Sequence, residues 1–292
     1  NINSQKKKLF SIIIPTFNSK YLKRAVKSVV EQKFDDYEIL IIDNNSRTDI
    51  KEELKNLEIS KIKIFKINND GIIAKSRNKG IKNSIGDYIV FLDSDDWFSK
   101  NKLNELKKII NDNKPDIIFH DVYVEYLNGK KKKSRSNLNL DDAYNHLLKY
   151  GNSLFNSSLC LKKTIIQEIG YIDENKSKAG WEDFDLILRS LKISKNIFKC
   201  DKILGNYWVD DRNFSSGKQM ITNYKNIIDF YIKGDDFFNN KIPWWLNGPI
   251  VKEYIKLKDY NSAKLELKKT KTYRIFEKVK WILFFSYIFF KK

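Results

Sequence analysis

The 292-residue chain contains few of the residues that define several common protein classes. Its 2 cysteines, Cys160 and Cys200, are too few for a disulfide framework and lack zinc-ligand spacing, so we expect a reducing compartment. With 4 prolines and 11 glycines, the chain is neither collagen-like nor a proline-rich linker. The 2 histidines, His120 and His146, leave little material for a His-rich zinc site or a Ser–His–Asp triad, and structural roles are expected for both.

Several motifs are absent as well. The sequence has no G-x-G-x-x-G after its first apolar run, no G-x-x-x-x-G-K-[ST] and no H-E-x-x-H. The sequence therefore lacks the usual motifs for dinucleotide binding, for phosphate binding by a P-loop and for zinc-dependent proteolysis. The polar first residues predict no secretory leader. The longest apolar stretch, Trp281 to Phe290, is about half of the roughly 20 residues that a spanning helix needs, so we expect the chain not to cross a membrane by itself.

Basic residues and apolar residues are both plentiful. Lysine and arginine number 55 against 37 acidic residues, which gives a formal net charge of +18. An excess of this size suits an anionic partner, such as a nucleic acid, an acidic membrane surface or a phosphorylated substrate, and charge alone does not choose among them. Hydrophobic residues make up 41% of the chain, which is enough for a folded core.

Short apolar runs alternate with helical patterns over the first 124 residues. Such alternation predicts an α/β fold, in which a mainly parallel sheet is flanked by helices on both faces. From about residue 218 onward the pattern is helical, which predicts a C-terminal helical appendage. The predicted strands are 10–14, 38–42, 61–67 (with the alternation of an edge strand), 88–92 and 116–124, and the predicted helices are 22–30, 49–57, 72–84 and 99–112. The basic run 130–133 is expected in a solvated loop.

Polar side chains follow three of these strands, and ligands bind beyond the carboxyl ends of parallel strands. Aspartates at strand ends are often only turn formers. Carboxylates crowded at one edge, however, repel one another unless a cation lies among them, and oxygen ligands suit Mg²⁺ or Mn²⁺ bridged to substrate phosphates. The polar segments are Pro15-Thr16-Phe17-Asn18, Asp43-Asn44-Asn45 and Asp93-Ser94-Asp95-Asp96.

A second acidic pair lies at the start of a predicted helix. Trp181-Glu182-Asp183 precedes the helical apolar pattern of residues 184–191. Two acids at a helix N-terminus are explained by the helix dipole alone. The alternative is a general base held near the acidic edge of the sheet.

Five segments, in order along the chain, carry a family resemblance. The third, 69–80, is like the motif N-x-G-x-x-x-A-R-N-x-G but has one extra residue before Arg77. The others are 10–18, 37–46, the D-x-D segment 86–96, and 170–186 with its E-D pair. Together they resemble family 2 glycosyltransferases of the bacterial surface-polysaccharide type, over about residues 9–212. The resemblance implies a GT-A (Rossmann-like) transferase domain at 1–217. The helical region at 218–292 follows it, and membrane association is one interpretation of that region.

The resemblance also implies roles for individual residues. Asp183 would be the catalytic base, with Glu182 beside it. In inverting transfer, such a carboxylate takes the acceptor proton while a cation, Mn²⁺ or Mg²⁺, stabilises the leaving diphosphate. The implied metal ligands are Asp95, Asp93 and Asp210, and the implied nucleotide-binding residues are Pro15, Thr16, Asn18, Asp43, Asn44, Arg77 and Asp93.

Two positions depart from the family pattern. Asn44 stands where the family often has a second acid, which puts strict uracil selection in doubt. Asp210 stands where the family often has a histidine. An aspartate there suits a hard metal ion, or else Asp210 and Asp211 pair with Arg212 or nearby lysines.

The function that the resemblance implies is transfer of a sugar from a nucleotide-sugar, with a UDP-sugar as the expected donor, with inversion and metal dependence. The acceptor would be a glycan or lipid-linked glycan in capsule or lipooligosaccharide-type biosynthesis, at the cytoplasmic face of the membrane. One alternative is a non-catalytic nucleotide- or glycan-binding protein on the same fold. A nucleic-acid partner is not expected, because no helix-turn-helix, RNP or zinc-finger pattern occurs.

The aromatic-rich tail, residues 276–292, has two interpretations. A buried packing helix is the simpler one. The other is an interfacial segment whose aromatic residues lie at headgroup depth while the flanking lysines contact anionic lipid.

Overall fold

The computed structural model describes residues 7–58, 60–210 and 217–290. The chain forms two compact units, Asn1–Asp141 with Ser153–Asn213, and Asp142–Asn152 with Phe214–Lys292. The division into a transferase domain at 1–217 and a separate helical region at 218–292 stays a prediction.

Strands and helices alternate along the first unit as the sequence predicts, with ends shifted by a few residues. The strands are β1 (Lys8–Thr16), β2 (Tyr37–Asp43), β3 (Ile62–Lys66), β4 (Gly86–Phe91), β5 (Trp97–Phe98), β6 (Ile117–Tyr126), β7 (Lys131–Ser134), β8 (Cys160–Lys162), β9 (Ile197–Val209), β10 (Ile242–Pro243) and β11 (Thr270–Lys271). The helices are α1 (Leu22–Val30), α2 (Ile50–Leu54), α3 (Ile73–Asn83), α4 (Lys102–Asn113), α5 (Ala143–Tyr150), α6 (Lys163–Glu168), α7 (Glu182–Ile193), α8 (Gly217–Ile227), α9 (Trp244–Lys256), α10 (Tyr260–Lys269) and α11 (Ile275–Phe290).

One sheet organises the first unit, in the order β3-β2-β1-β4-β8-β6-β9-β5, with β7 paired to β6. Strands β3, β2, β1 and β4 are mutually parallel, and so are β6 and β9. The short strand β8 joins these two groups and runs antiparallel to both β4 and β6. As predicted from its alternation, β3 is an edge strand, and the α/β fold class is confirmed.

The register places the predicted polar segments side by side. Thr16 at the end of β1 is opposite Asp43 at the end of β2, and Ile13 is opposite Phe91 of β4. Helix α1 buries Leu22 and Val26 in the core beneath these strands. The carboxyl ends of β1, β2 and β4 therefore form one continuous polar edge.

Glycine brings α3 close to the sheet. A β-carbon at Gly80 would lie 2.7 Å from the side chain of Ile13 in β1, which is closer than real side chains approach. Because Gly80 lacks that carbon, α3 packs directly on β1. This contact sets the distance between α3 and β1. It thereby sets how close Arg77, one helical turn before Gly80, lies to the polar edge.

The basic run 130–133 forms a strand instead of the predicted loop. Residues Lys131–Ser134 make β7, which pairs antiparallel with β6 as a hairpin. The lysine side chains stay exposed, and lysines on an edge strand discourage pairing with further chains. The prediction was wrong because backbone pairing with β6 is not visible in local composition.

The second unit is mostly helical among its described residues. Helix α11 packs one face against α9 and α10, where Trp244, Val251 and Leu267 are buried with Ile288. Its opposite face exposes apolar side chains, including Leu283 at 61%. In the described part of the chain, no helix combines the length and the apolar character that spanning a membrane requires.

Candidate active site

The ends of β1 and β2 are tied together by short hydrogen bonds. The backbone N–H of Asn44 donates to the carbonyl of Thr16 at 2.9 Å, immediately after Pro15. The buried carboxylate of Asp43 accepts from the N–H of Ser46 at 2.8 Å. The Thr16 hydroxyl is buried and has no hydrogen-bond partner among the described residues. This corner therefore offers a polar group that a ligand can satisfy.

Two amides shape the neighbouring loops. Asn18 has a φ of 48°, and its side-chain oxygen accepts from the N–H of Arg47 at 2.8 Å. Asparagine is among the residues that adopt this left-handed conformation most readily. The side-chain oxygen of Asn44 accepts from the N–H of Asn69 at 2.9 Å. Asn44 is thus a structural tie between the loops after β2 and β3, which the sequence did not suggest.

Arg77 joins the two acidic motifs. Its Nη1 donates to Glu182 Oε1 at 2.7 Å and its Nη2 donates to Asp93 Oδ1 at 2.9 Å. The guanidinium is buried, with only 4% of the residue exposed. Burial alone lowers the pKa of Arg77, but the charges of Asp93 and Glu182 outweigh it and the pKa is raised. The arginine therefore stays charged and holds the two carboxylates in fixed positions.

A buried turn at Asn156–Ser158 supports Asp93 from the other side. Asn156 Nδ2 donates to Asp93 Oδ1 at 3.1 Å, and the Asp93 N–H donates to Ser157 Oγ at 3.0 Å. The fully buried Lys102 donates its Nζ to the Ser157 carbonyl at 2.7 Å. Burial lowers the pKa of Lys102 to about 7. Asp93 Oδ1 thus accepts two hydrogen bonds, whereas no residue of the described ranges donates one to the second oxygen of Asp93.

Asp95 and Asp96 differ in their surroundings. Burial, then the charges of Asp93 and Asp210, raise the pKa of Asp95 to about 6. Its carboxylate makes no hydrogen bond or ion pair with another side chain in the described parts of the chain. Asp96 is completely buried and accepts from the N–H of Trp208 at 2.8 Å. The Asp95 carboxylate is therefore the less engaged of the two among the described residues, whereas Asp96 anchors β9 to the loop after β4.

Glu182 and Asp183 at the start of α7 also differ. Both Glu182 oxygens are engaged, one by Arg77 and the other by the N–H of Gly180 at 2.7 Å. Asp183 is half-buried, and in the part of the chain that the structure describes it accepts a hydrogen bond only from the N–H of Phe184, at 2.7 Å. Burial, then the neighbouring charge of Glu182, raise the pKa of Asp183 to about 6. Of the two acids, only Asp183 has a carboxylate oxygen without a hydrogen-bond donor among the described residues.

The predicted metal ligands do not form a ready-made protein cage. Within residues 7–58, 60–210 and 217–290, no three His, Cys, Asp or Glu side chains come together as a metal site. Mg²⁺ commonly takes only one or two protein carboxylates together with substrate phosphates and water. Asp95, with its raised pKa and unengaged carboxylate, fits such a partial site. The alternative, that Asp210 and Asp211 pair with Arg212 or nearby lysines, involves Asp211 and Arg212, which lie outside the described residues.

Several residues of the site escaped the sequence analysis. Asn156 and Ser157 lie in a polar stretch without a distinctive spacing, and Lys102 opens an ordinary helix. Arg24 donates to the backbone carbonyl of Asp95 at 2.6 Å and stacks over Trp97, with its guanidinium 3.8 Å from the ring centre. Each contact joins segments distant in sequence, so only the fold reveals it.

The family model described as Glycosyl transferase family 2 matches residues 11–169 of the chain. That match spans four of the five segments whose resemblance was noted and ends before the Glu182-Asp183 pair.

Curated relatives match over different shares of their length. A glycosyltransferase of Rickettsia typhi, uncharacterised, is 26% identical over 241 residues, which cover 77% of this chain and 72% of the relative. The minor teichoic acid biosynthesis protein GgaA of Bacillus subtilis is 42% identical over 107 residues, 34% of this chain and 24% of that protein. The chain spans about a fifth or less of several other relatives that it matches.

Solved structures of S. aureus TarS residues 1–349 share the fold. The complex with UDP aligns with a TM-score of 0.59 at 19% identity, over 84% of this chain and 72% of that one. The complex with UDP-GlcNAc aligns with a TM-score of 0.61 at 18% identity, over 96% and 80%. The architecture is therefore that of a GT-A glycosyltransferase.

Proposed function

The chain belongs to glycosyl transferase family 2, and on this basis we propose that it transfers a sugar from a nucleotide-sugar, a UDP-sugar, to a hydroxyl of a glycan acceptor. The observation that carries the proposal is the bridge through Arg77. One buried guanidinium holds Asp93 at 2.9 Å and Glu182 at 2.7 Å. The acid on the donor side and the start of the helix that carries the base are thereby fixed with respect to each other.

Asp183 acts as the general base. Its carboxylate takes the proton from the acceptor hydroxyl as that oxygen attacks C1 of the sugar, and the nucleoside diphosphate leaves from the opposite face. A single displacement of this kind inverts the anomeric centre. A pKa near 6 leaves the base deprotonated at neutral pH yet basic enough to accept the proton. Glu182, with both oxygens engaged, positions Asp183 and does not itself take the proton.

The polar edge at β1 and β2 binds the nucleotide. The buried Thr16 hydroxyl, which has no hydrogen-bond partner among the described residues, supports this assignment, and so does the buried carboxylate of Asp43. Pro15, Asn18 and Asn44 line the same corner. The TarS chains of the same fold are complexed with UDP and with UDP-GlcNAc, which supports uridine as the nucleoside of the donor.

A divalent cation, Mn²⁺ or Mg²⁺, would be held by Asp95, with Asp93 and Asp210 nearby. When bound, it would neutralise the negative charge that develops on the leaving diphosphate. The chemistry of the donor set supports this proposal, because hard oxygen ligands suit these ions. The same three carboxylates without a cation repel one another, and the raised pKa of Asp95 reflects that repulsion in addition to burial.

Calorimetric titration tests the nucleotide and metal together. UDP, GDP, CDP and ADP are each titrated into the wild-type protein and into Asp95→Ala, with and without Mn²⁺. We expect UDP to bind best, Mn²⁺ to strengthen binding about 10–100-fold as a charge-assisted contact, and Asp95→Ala to abolish that gain. Ser94→Ala, one residue earlier in the same loop, is the matched control. Absence of binding by all four nucleotides would contradict the proposal.

Release of UDP separates the enzyme from the alternative, a non-catalytic binding protein. A transferase slowly passes its sugar to water, so UDP accumulates from at least one of a panel of UDP-sugars. A binding protein holds the same ligands without releasing UDP.

The acceptor is a surface glycan or its lipid-linked precursor, of the capsule or lipooligosaccharide type. The enzyme binds it at the inner face of the cytoplasmic membrane. The relative named for teichoic acid biosynthesis supports the class of cell-surface polymers. Helix α11 supports contact with a lipid surface. It exposes Ile275, Val279, Leu283 and Phe290 on one side, and its lysines, Lys278 and Lys280, are exposed as well. Apolar side chains flanked by lysines bind anionic membrane surfaces.

Sedimentation with vesicles tests this contact. We expect the wild-type protein to bind phosphatidylglycerol vesicles more tightly than phosphatidylcholine vesicles. The double variant Val279→Ser, Leu283→Ser should bind phosphatidylglycerol at least about fivefold more weakly, since burial of each side chain contributes up to roughly 1.5–3 kcal/mol. Leu265→Ser, an exposed leucine on α10, is the control. Equal binding by all three proteins would refute the contact through α11.

A further inference from the structure

Helix α1 has a row of polar side chains that the proposed mechanism has not used. Arg24 and Ser28 are four residues apart, outside the apolar positions that α1 buries. Residues at this spacing lie one above the other on a helix surface. Gln32 follows after four more residues, just beyond the end of α1, and its Nε2 donates to the Ser28 carbonyl at 2.9 Å. Arg24, Ser28 and Gln32 therefore form one polar row.

Two members of the polar row hold the segment at and after β5. The Ser28 Oγ accepts from the backbone N–H of Phe98 at 3.0 Å. The buried Gln32 donates its Nε2 to the carbonyl of Ser99 at 2.9 Å. Because both contacts are to main-chain atoms, they fix the path of the backbone along α1.

Arg24 is the member of the polar row that reaches the acidic loop itself. Its Nη2 donates to the backbone carbonyl of Asp95 at 2.6 Å. Three aromatic rings contact the guanidinium, whose central carbon is 3.8 Å from the ring centre of Trp97, 4.6 Å from that of Tyr21 and 4.9 Å from that of Trp208. Stacking of this kind holds the planar guanidinium in one orientation. Arg24 is therefore a fixed support for the Asp95 backbone.

The preceding carbonyl of the loop is held from the same side. Ser19, shortly before α1, donates its Oγ to the Ser94 carbonyl at 3.2 Å. The carbonyl carbon and the β-carbon of Asp95 are bonded to the same α-carbon. A hydrogen bond that fixes the carbonyl therefore restricts the directions in which the Asp95 carboxylate can point.

We propose that Arg24 is a positioning residue for metal binding, which holds the Asp95 backbone so that the carboxylate binds a divalent cation together with the nucleotide diphosphate. The inference rests on the proposed function, in which Asp95 holds the metal ion. Charge alone would give Arg24 the opposite effect, because a cation beside the site repels a second cation. The direction of the change on removal of Arg24 therefore separates positioning from charge.

Calorimetric titration of UDP with and without Mn²⁺ tests the inference in the wild type, Arg24→Met and Gln32→Met. Methionine is long and apolar, so it can cover Trp97, but it donates no hydrogen bond. In Arg24→Met we expect the gain in UDP affinity from Mn²⁺ to fall at least about fivefold, as for loss of a hydrogen bond with a charged donor. The affinity for UDP without Mn²⁺ should change less than about twofold.

Gln32→Met is the matched control, because it removes the contact at the far end of the same polar row. It should lower the melting temperature and leave the gain from Mn²⁺ at the wild-type value. An equal loss of that gain in Gln32→Met and Arg24→Met would overturn the inference, because the effect would then come from general destabilisation of α1.

A gain from Mn²⁺ in Arg24→Met that equals or exceeds the wild-type gain would overturn the inference and leave the proposed function intact. If Arg24→Met does not fold, Arg24→Lys decides, since lysine keeps the charge but lacks the planar group that stacks on Trp97. We expect its gain to be at least about twofold below that of the wild type, and an unchanged gain would overturn the inference. If the wild type itself shows no gain, the proposed metal site fails, and the inference with it.

Discussion

The two ends of the candidate site are built in different ways. At β1 and β2, the stabilising hydrogen bonds join neighbouring loops, as in the contact of Asp43 with Ser46, three residues later. At the acidic end, Arg77 and Glu182 are 105 residues apart in sequence, and the Asp93 N–H reaches Ser157, 64 residues away. The nucleotide end is a set of adjacent loops, whereas the acidic end is assembled from four distant segments.

The difference matters for stability as well as for chemistry. A local loop can distort without affecting the rest of the sheet. The acidic end, in contrast, holds several like charges, and one buried arginine compensates two of them. Removing one partner of a buried ion pair leaves an uncompensated charge. We therefore expect the acidic end to tolerate substitution least.

The largest expected effect follows from replacing Arg77. Arg77→Met keeps much of the side-chain volume but leaves Glu182 and Asp93 without their shared partner, and we expect it to lower the free energy of unfolding by about 3–5 kcal/mol. Urea unfolding followed by circular dichroism measures this loss.

Lys75→Met is the control for that comparison. Lys75 is on the same helix and pairs with Asp70 at 2.7 Å, but the Asp70 side chain is 61% exposed. Exposed pairs contribute little, so no measurable change is expected. Equal losses in both variants would show that the acidic end is no more sensitive than the surface of α3.

The pH dependence of UDP release gives an intermediate effect. The pKa of Asp183 is raised to about 6, and the base works only when deprotonated. Activity should therefore be constant above about pH 7 and fall about tenfold per unit below pH 6. A rate that stays constant from pH 5 to 7 would contradict the assignment of the base.

The smallest effect is expected at the nucleotide end. Asn44→Asp keeps the oxygen that accepts from the Asn69 N–H, so the loop should be preserved. We expect UDP affinity, and the preference for UDP over GDP, to change less than about threefold in calorimetric titrations. A switch of base preference would show instead that Asn44 reads the base directly.

The same contrast separates what the sequence predicted from what it did not. Apolar periodicity predicted the elements from β1 to β6 except the two-residue strand β5, because the other strands and helices bury regular faces. The resemblance predicted which acids to examine. The resemblance also implied that Asp183 is the base and that Glu182 lies beside it, but it gave no physical reason. The structure gives one, because Arg77 and Gly180 donate hydrogen bonds to Glu182.

The sequence also did not predict which side chains the sheet brings into contact. Lys102 and Ser157 meet because β8 is inserted between β4 and β6, and nothing in local composition signals that insertion. The sequence of the tail also left its packing undecided. Its residues are apolar on nearly every side, so only the structure shows that one face of α11 packs while the other is exposed.

The measurement that tests the account most directly compares the two adjacent acids. UDP release from the best UDP-sugar of the panel is followed at pH 7.5 for the wild type, Asp183→Asn and Glu182→Gln, with UDP affinity measured alongside. We predict that Asp183→Asn lowers the rate by about 10²–10⁴-fold, as for loss of a general base, and leaves UDP affinity unchanged. Glu182→Gln should retain more activity than Asp183→Asn and lose thermal stability. If Asp183→Asn kept wild-type activity while Glu182→Gln was inactive and fully folded, the assignment of Asp183 as the base would be wrong.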